Sequence, residues 1–408
     1  MKKIAIILFL ITGMNNQINA QYAWTQVDSL GGMNRQAAVG FAIGDYGYIA
    51  LGLNYETQLV LNDLWQYDPI SNTWTQKADF PGISRVSAVS FVIGNIGYIG
   101  SGSSNYPASF FTNEFWEYNP ISNTWSSIAP FPGTSRYCGT SFSIGMNGYF
   151  GCGWHGSFYN DFWEYNSINN TWLSIANYPG NPSIPTSFSD GRFGYVGAGE
   201  DNTNLYSNFW KYDTLNNSWS PIANLPMPSY EPTSFVLLGK GYVGTGSSSF
   251  SFSDLYSHWW CYDTTTNIWM VIPEMTGVPR LSAVAFSIGN AGYCGTGAIT
   301  DYTHDLNDFN KYYPTDVGIN ELSGLISNIS IYPNPSDGIF RINYSSSRIA
   351  SVDIKVINMT GKIIAMVNRK QTIGANEFSL DLSNKARGVY FIELISDTNH
   401  LTKKIVLE

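Results

Sequence analysis

An all-β chain in two parts, a ring of six four-stranded sheets and then a small β-sandwich, is what the sequence predicts, on three observations. The 408 residues include 39 Gly, 27 Tyr, 23 Phe and 13 Trp but only 12% charged residues, a mixture suited to short strands and tight turns rather than helices. FWEYNPISNTW, beginning at Phe115, returns with small changes at Leu64, Phe162, Phe209 and Trp259, a period of about 50 residues that marks a repeat architecture. After Pro314 the repeat stops, and alternating strand-like runs with Asp-Gly and Thr-Gly turns take over.

Residues 1–20, MKKIAIILFLITGMNNQINA, place two lysines before an apolar run and end on Ala20. This is the pattern of a secretory signal cut after Ala20, and the run is too short to span a bilayer. The mature protein is therefore expected to be soluble, or held at a surface by something other than a transmembrane helix.

The repeat defines each sheet. The first tryptophan of each unit is Trp65, Trp116, Trp163, Trp210 and Trp260, and the second follows nine residues later every time. A Gly-Tyr pair recurs at Gly47, Gly97, Gly148, Gly194, Gly241 and Gly292. In the second unit the strands read as residues 86–93, 96–102, 113–120 and 124–130, with Trp116 and Tyr118 on one face because strand side chains alternate. One such sheet cannot bury its faces alone, so aromatic filler packs sheet on sheet, and a ring of such sheets is a β-propeller. The sixth unit has no fourth-strand tryptophan, while QYAWTQ at the start of the mature chain is an orphan fourth strand. The N-terminus is thus expected to complete blade VI through Trp24.

These Gly-Tyr pairs, the small Gly-x-Gly after them and the aromatic-x-Tyr-Asp…Trp strands resemble kelch repeats, as in the central domain of galactose oxidase, over residues 21–314. Where kelch repeats usually show Gly-Gly, this chain has Gly100-Ser101-Gly102 or Gly244-Thr245-Gly246. YPNPSDG at Tyr332, GVYFIEL at Gly388 and the terminal KKIVLE are similar to the C-terminal sorting domain of the type IX secretion system of Bacteroidetes. That resemblance implies a β-sandwich over residues 329–408, joined by a linker over 315–328, which engages the secretion machinery and is commonly removed on release or surface attachment.

The propeller region is acidic, with nine Lys/Arg against twenty-one Asp/Glu for a net charge of −12, which argues against nucleic acid as a partner. The chemistry motifs are few. GYIGSG at Gly97 has the glycines of a phosphate loop but recurs in every blade with no helix after it, so the glycines read as structural. His155, His258, His304 and His400 fall in different units, no zinc spacing or GxSxG elbow occurs, and no copper set of clustered Tyr, His and Cys is visible. DYTHDLND at Asp301 has ligand-like residues, but its Asn307-Asp308 matches the pairs that open other third strands. No cofactor or metal is expected. Cys138 and Cys152 flank one turn and read either as a hairpin disulfide or as small core residues.

Topology points to one face. Loops joining strands two to three and those joining blades emerge together, and the first group carries Tyr55, Tyr106, Phe111, Trp154, His155 and Phe250. The second group brings Arg35, Arg85, Arg136 and Arg280 to the start of the innermost strands, with Tyr230 and Glu231 in blade V. One reading is a ligand site with an aromatic rim and a cationic throat, suited to sugars or carboxylates. The other is that the aromatics pack on neighbouring blades and the arginines pair with loop carbonyls. Three functions stay open: a non-catalytic binding module for a glycan or an extracellular protein, secreted or at the cell surface; an enzyme resembling kelch-type N-acetylneuraminate mutarotases, with Arg85, Arg136, Arg280 and Glu231 acting on an acidic sugar; and a structural or adhesive surface protein.

Overall fold

The computed structural model describes residues 24–408 apart from 106, 181–183, 251, 300–303, 315–325, 347–349, 359–361, 373 and 397–398. The expected signal and most of the expected linker therefore lie outside the described residues. The chain divides into two compact units, Met1–Pro314 and Thr315–Glu408.

In the first unit the described strands form six four-stranded antiparallel sheets. The innermost strands are Val39–Ile43, Val89–Ile93, Thr140–Ile144, Thr186–Ser189, Thr233–Leu237 and Val284–Ile288 for blades I to VI. Blade II continues through Ile96–Gly100, Phe115–Asn119 and Thr124–Ser127, shorter at its ends than the sequence pattern suggests. Blade VI runs Val284–Ile288, Ala291–Gly295, Phe309–Tyr312 and then Trp24–Val27. Trp24 pairs with Tyr312 and Val27 with Phe309, so the N-terminus supplies the outer strand.

The repeated residues explain the ring. The third residue of each inner strand is a phenylalanine, stacked on the tyrosine of its own Gly-Tyr pair with ring planes 9–22° apart. The glycine of that pair faces the phenylalanine of the preceding blade: Gly97 meets Phe41, Gly241 meets Phe188, and Gly47 meets Phe286 across the closure. A Cβ at any of the six glycines would stand 2.1–2.7 Å from that ring, too close for any other residue without a shift. Glycine here is a packing requirement between blades.

The second tryptophan is the other inter-blade element. Its indole N–H donates to a backbone carbonyl of the preceding blade in every case, from Trp74 to Asp28 at 3.0 Å through Trp269 to Ala223 at 2.8 Å. Trp24 makes the same bond to Pro273 at 3.0 Å, so the closing seam is built like the others. Two residues before that tryptophan, Asn72, Asn123, Asn170, Asn217 and Asn267 have φ between 45 and 56°, a left-handed turn position that asparagine tolerates. Each Asn Oδ1 accepts from the tyrosine hydroxyl of its own third strand and from a backbone N–H of the preceding blade, as Asn123 does from Tyr118 and Ala78. The phrase NPISNTW is thus a turn, a cap and a bolt in one segment.

The second unit pairs a three-stranded sheet with a four-stranded one, and Phe340, Ile342, Val352, Ile354, Ile392, Leu394 and Ile405 fill its core. Its first strand starts at Ile326, inside the range expected to be linker. The two C-terminal motif segments lie side by side, Gly388–Ser396 antiparallel to Asn399–Leu407. No helix among the described residues is long and apolar enough to cross a membrane. All four cysteines are free, so the hairpin disulfide between Cys138 and Cys152 is not formed.

Candidate functional site

The inner strands surround a channel. At the mouth where they begin, a cavity of about 190 Å³ is lined by Ala38–Gly40 and the equivalent residues of all six blades. Small, hydroxylated and β-branched residues line it, with Pro185 and Pro232 in blades IV and V. Just before the strands, Ala37, Ser87, Cys138, Glu231 and Ser282 all adopt φ between 48 and 55°, a conformation that costs a side-chain-bearing residue energy and persists only where surroundings enforce it. Here a chain of bonds enforces it: Cys138 N–H donates to Ser87 O, Ser87 N–H to Ala37 O, and Ala37 N–H to Ser282 O. The Ser282 hydroxyl donates to Glu231.

Two residues before this ring sit the arginines, and they do not form an open cationic throat. Arg35, Arg85, Arg136 and Arg280 are at most 1% exposed. Arg35 and Arg280 each grip an aspartate bidentately, Asp63 and Asp308, at 2.6 and 2.7 Å. Arg136 bonds both oxygens of Asp161, and Arg85 bonds Glu114 at 2.9 Å. Every Nη1 also donates to the carbonyl at the end of strand two, Leu51, Ser101, Cys152 or Thr296. Every Nε reaches the carbonyl two residues back. Burial raises the Asp63 carboxyl, but the bonds and charge of Arg35, with the Trp65 indole N–H, outweigh it and leave Asp63 below its usual range. Burial likewise pulls the Arg85 guanidinium down against the opposing pull of Glu114.

A signal for these partners exists in the sequence. The carboxylate always precedes strand three, and it is present where the arginine is present. Blade V has Ser229 and His258 in the two places, and blade IV has Asn208 with no arginine in residues 180–188. Both halves of the clasp are absent together, as expected if each buried charge is tolerated only with its partner.

The untethered sector is chemically different. In blade V the Ser229 hydroxyl bonds the Tyr256 hydroxyl, and His258 lies 2.8 Å from Glu274. Glu200, 8% exposed, and Glu231 both act electrostatically on Cys138, whose thiol is pushed up first by burial, with Ser87 opposing. At the seam between blades VI and I, Asp305 is 4% exposed, and its Oδ1 has no hydrogen-bond partner among the described residues. Its Oδ2 accepts from the Tyr55 backbone N–H at 2.5 Å. Burial pushes its pKa up to about 6, against that bond, with Glu56 adding and His304 opposing.

The loop aromatics are partly brought together. Phe111 stacks on Tyr137 at 5.4 Å, touches His155 at 4.4 Å and meets the edge of Trp154 at 6.0 Å. His155 is exposed and Trp154 half-buried, and the adjacent Phe110 is 56% exposed. Tyr230 pairs with Phe250 at 5.7 Å in blade V, whereas Tyr55 belongs to the blade VI–I seam. Tyr106 lies outside the described residues.

Residues 330–408 match the family model of the secretion system C-terminal sorting domain. Among solved structures, one titled "Structure of YjhT" is similar with a TM-score of 0.60 over 71% of this chain and 98% of its own, at 15% identity. No curated protein matches the chain. The fold and the tail together define the class: a β-propeller exported through a type IX sorting domain. It is a protein secreted or attached to the cell surface.

Proposed function

We propose that the propeller is a non-catalytic binding module that engages a glycan or an extracellular protein through the loops at the mouth where the inner strands begin. The observation that carries this reading is the cluster of Phe111, Tyr137, Trp154 and His155, flanked by exposed Phe110, on blades II and III. Aromatic faces at a rim offer area at low entropic cost and stack on sugar rings or protein side chains. Tyr230 with Phe250, and Tyr55 at the seam, extend the same rim.

The charge pattern supports a neutral or basic partner over an anionic one. Each buried arginine is matched by a carboxylate, and Glu200 and Glu231 add negative charge near the mouth. A mutarotase-like enzyme would need Arg85, Arg136 and Arg280 to leave ion pairs in which they are buried, at a cost of several kcal/mol each.

The test is a glycan and matrix-protein array probed with the mature protein, beside Trp154→Ala and Phe111→Ala. Binding lost in both variants with unchanged melting temperature supports the rim; a blank array for the wild-type protein overturns it. Anomer interconversion of N-acetylneuraminate followed by NMR on the same sample would establish the enzyme reading instead.

A further inference from the structure

We infer that the outer edge of blade V is an interface between two copies of this chain, in which Ile268–Ile272 pairs antiparallel with its own counterpart and the two blades become one continuous sheet. This strand is the last of its sheet, after Thr233–Leu237, Lys240–Gly244 and Trp259–Asp263, and no described strand pairs with its outer side. An open edge is a template for another strand, and proteins usually blunt it with charge, proline or a covering segment.

The other blades show a blunted version of the same strand. It reads TWTQ, TWSS, TWLSI and SWSPI in blades I to IV and WTQV in blade VI. Around the bolt tryptophan these strands place Thr, Ser, Gln or Pro221, with Leu173 the one exposed large aliphatic residue. Blade V reads IWMVI, with Ile268 54%, Met270 44% and Val271 74% exposed. The change continues into the sheet, where Met270 pairs with Cys261 and the corresponding pairs are Gln66–Thr75, Glu117–Ser126, Glu164–Leu173 and Lys211–Ser220. Packing within the ring does not account for it: Ile272 joins the cluster around Trp24 at the seam with blade VI, while Ile268, Met270 and Val271 stay in water.

Charge and register select a second copy as the occupant. The propeller is net −12, so most faces of two copies repel, but residues 264–273, TTTNIWMVIP, carry no charge. Antiparallel pairing about a two-fold axis at Met270 sets Met270 against itself, Trp269 against Val271 and Ile268 against Ile272. Every facing pair is apolar and no like charges are opposed. The backbone fits the same register. Pro221 holds the Val271 position in blade IV, and proline is accepted inside a strand where its nitrogen faces away from the ladder. The Val271 N–H therefore points to the open side, as does that of Trp269 two residues earlier. These are the residues that the two-fold sets opposite each other, as a hydrogen-bonded pair. Two such short strands bury less than the roughly 1,200 Å² at which stable interfaces begin, so the dimer is weak and reversible, with Kd on the order of 10–100 µM.

The experiment is sedimentation velocity on residues 21–408 from about 2 to 300 µM, a range that brackets this Kd. The weight-average mass should climb towards twice that of the monomer. Val271→Pro copies blade IV, removes two hydrogen bonds per dimer and should weaken association by about 10-fold or more, with melting temperature close to wild type. Should it fail to fold, Ile268→Thr with Met270→Thr and Val271→Gln copies the blade I strand and is read the same way. Met270→Cys should form a disulfide across the axis under mild oxidation, since facing residues of antiparallel strands lie within disulfide reach. Thr25→Cys, on the blade VI edge, should not. A monomer at every concentration, association undiminished in the edge variants, or a dimer in which Met270→Cys cross-links no better than Thr25→Cys overturns the proposal.

Discussion

Blades III and V are built on the same strands and the same aromatic bolts, yet blade III closes its inner loop with the buried Arg136–Asp161 pair and blade V with hydroxyls from Ser229 and Tyr256. The difference teaches that the clasp is one way of fastening a blade rather than a condition of the fold. Stacking and indole bonds, common to both, carry the ring. The clasp fixes where the inner strand enters, and blades that do without it leave the mouth to groups such as Glu200 and Glu231.

The largest expected effect breaks one half of a clasp. Arg136→Ala should destabilise by about 3 kcal/mol, the lower part of the range for orphaning a buried partner, because Asp161 is 27% exposed and regains some water. Ser229→Ala, the equivalent change in blade V, should cost only about 1 kcal/mol. Urea melts that give equal losses would break the comparison. Arg136→Ser combined with Asp161→His installs the blade V pair and should lose less than Arg136→Ala alone; a larger loss would mean that the clasp is required where it occurs.

Gly148→Ala and Gly241→Ala sharpen the contrast from the other side. Both put a methyl 2.2–2.3 Å from a phenylalanine of the preceding blade and should each cost about 1–3 kcal/mol. The two losses should be alike, since this packing is independent of the clasp. Calorimetric melts of the pair check it.

The smallest effect is in pH. The native value of Asp305, about 6, lies above the unfolded value of about 3.9, so the folded state holds the extra proton between them. Its contribution is present in full below the unfolded value and is lost as pH rises through about 6. Carboxylates held low, such as Asp63, change in the opposite direction at lower pH. The measurement is therefore the difference in melting temperature between wild type and Asp305→Asn across pH 4 to 7. The wild-type protein should lose ground relative to the variant as pH rises, and a flat difference would mean that the proton is not held at this seam.

The sequence shows the ring and its closure plainly because they rest on residues with one job: glycine beneath a phenylalanine, tryptophan nine residues after tryptophan, Trp24 without a sheet of its own. The arginines were harder to read. Four of them at one strand entrance look like an anion site until Asp63, Glu114, Asp161 and Asp308 are noticed, each some 25–29 residues away and across one blade. Charge on a sequence says nothing about desolvation or pairing. Asp190 illustrates the converse, since only the alignment of all six inner strands shows a carboxylate where the others have Ile43, Ile93, Ile144, Leu237 and Ile288, and its three bonds stay within its own hairpin. Trp154 and Phe111 share a cluster through loops whose paths the strand pattern does not determine.

The seam at Trp24 also governs when the molecule can exist. The first described strand completes the sheet begun at Val284, so a chain stopped short of Tyr312 leaves its last sheet unfinished and its ring open. The sorting domain follows immediately, from residue 330. A polypeptide that carries the export address has therefore already been made past every strand the propeller needs, and truncated products lack the address as well as the closure. Order along the chain thus acts as a check on completeness before the protein leaves the cell.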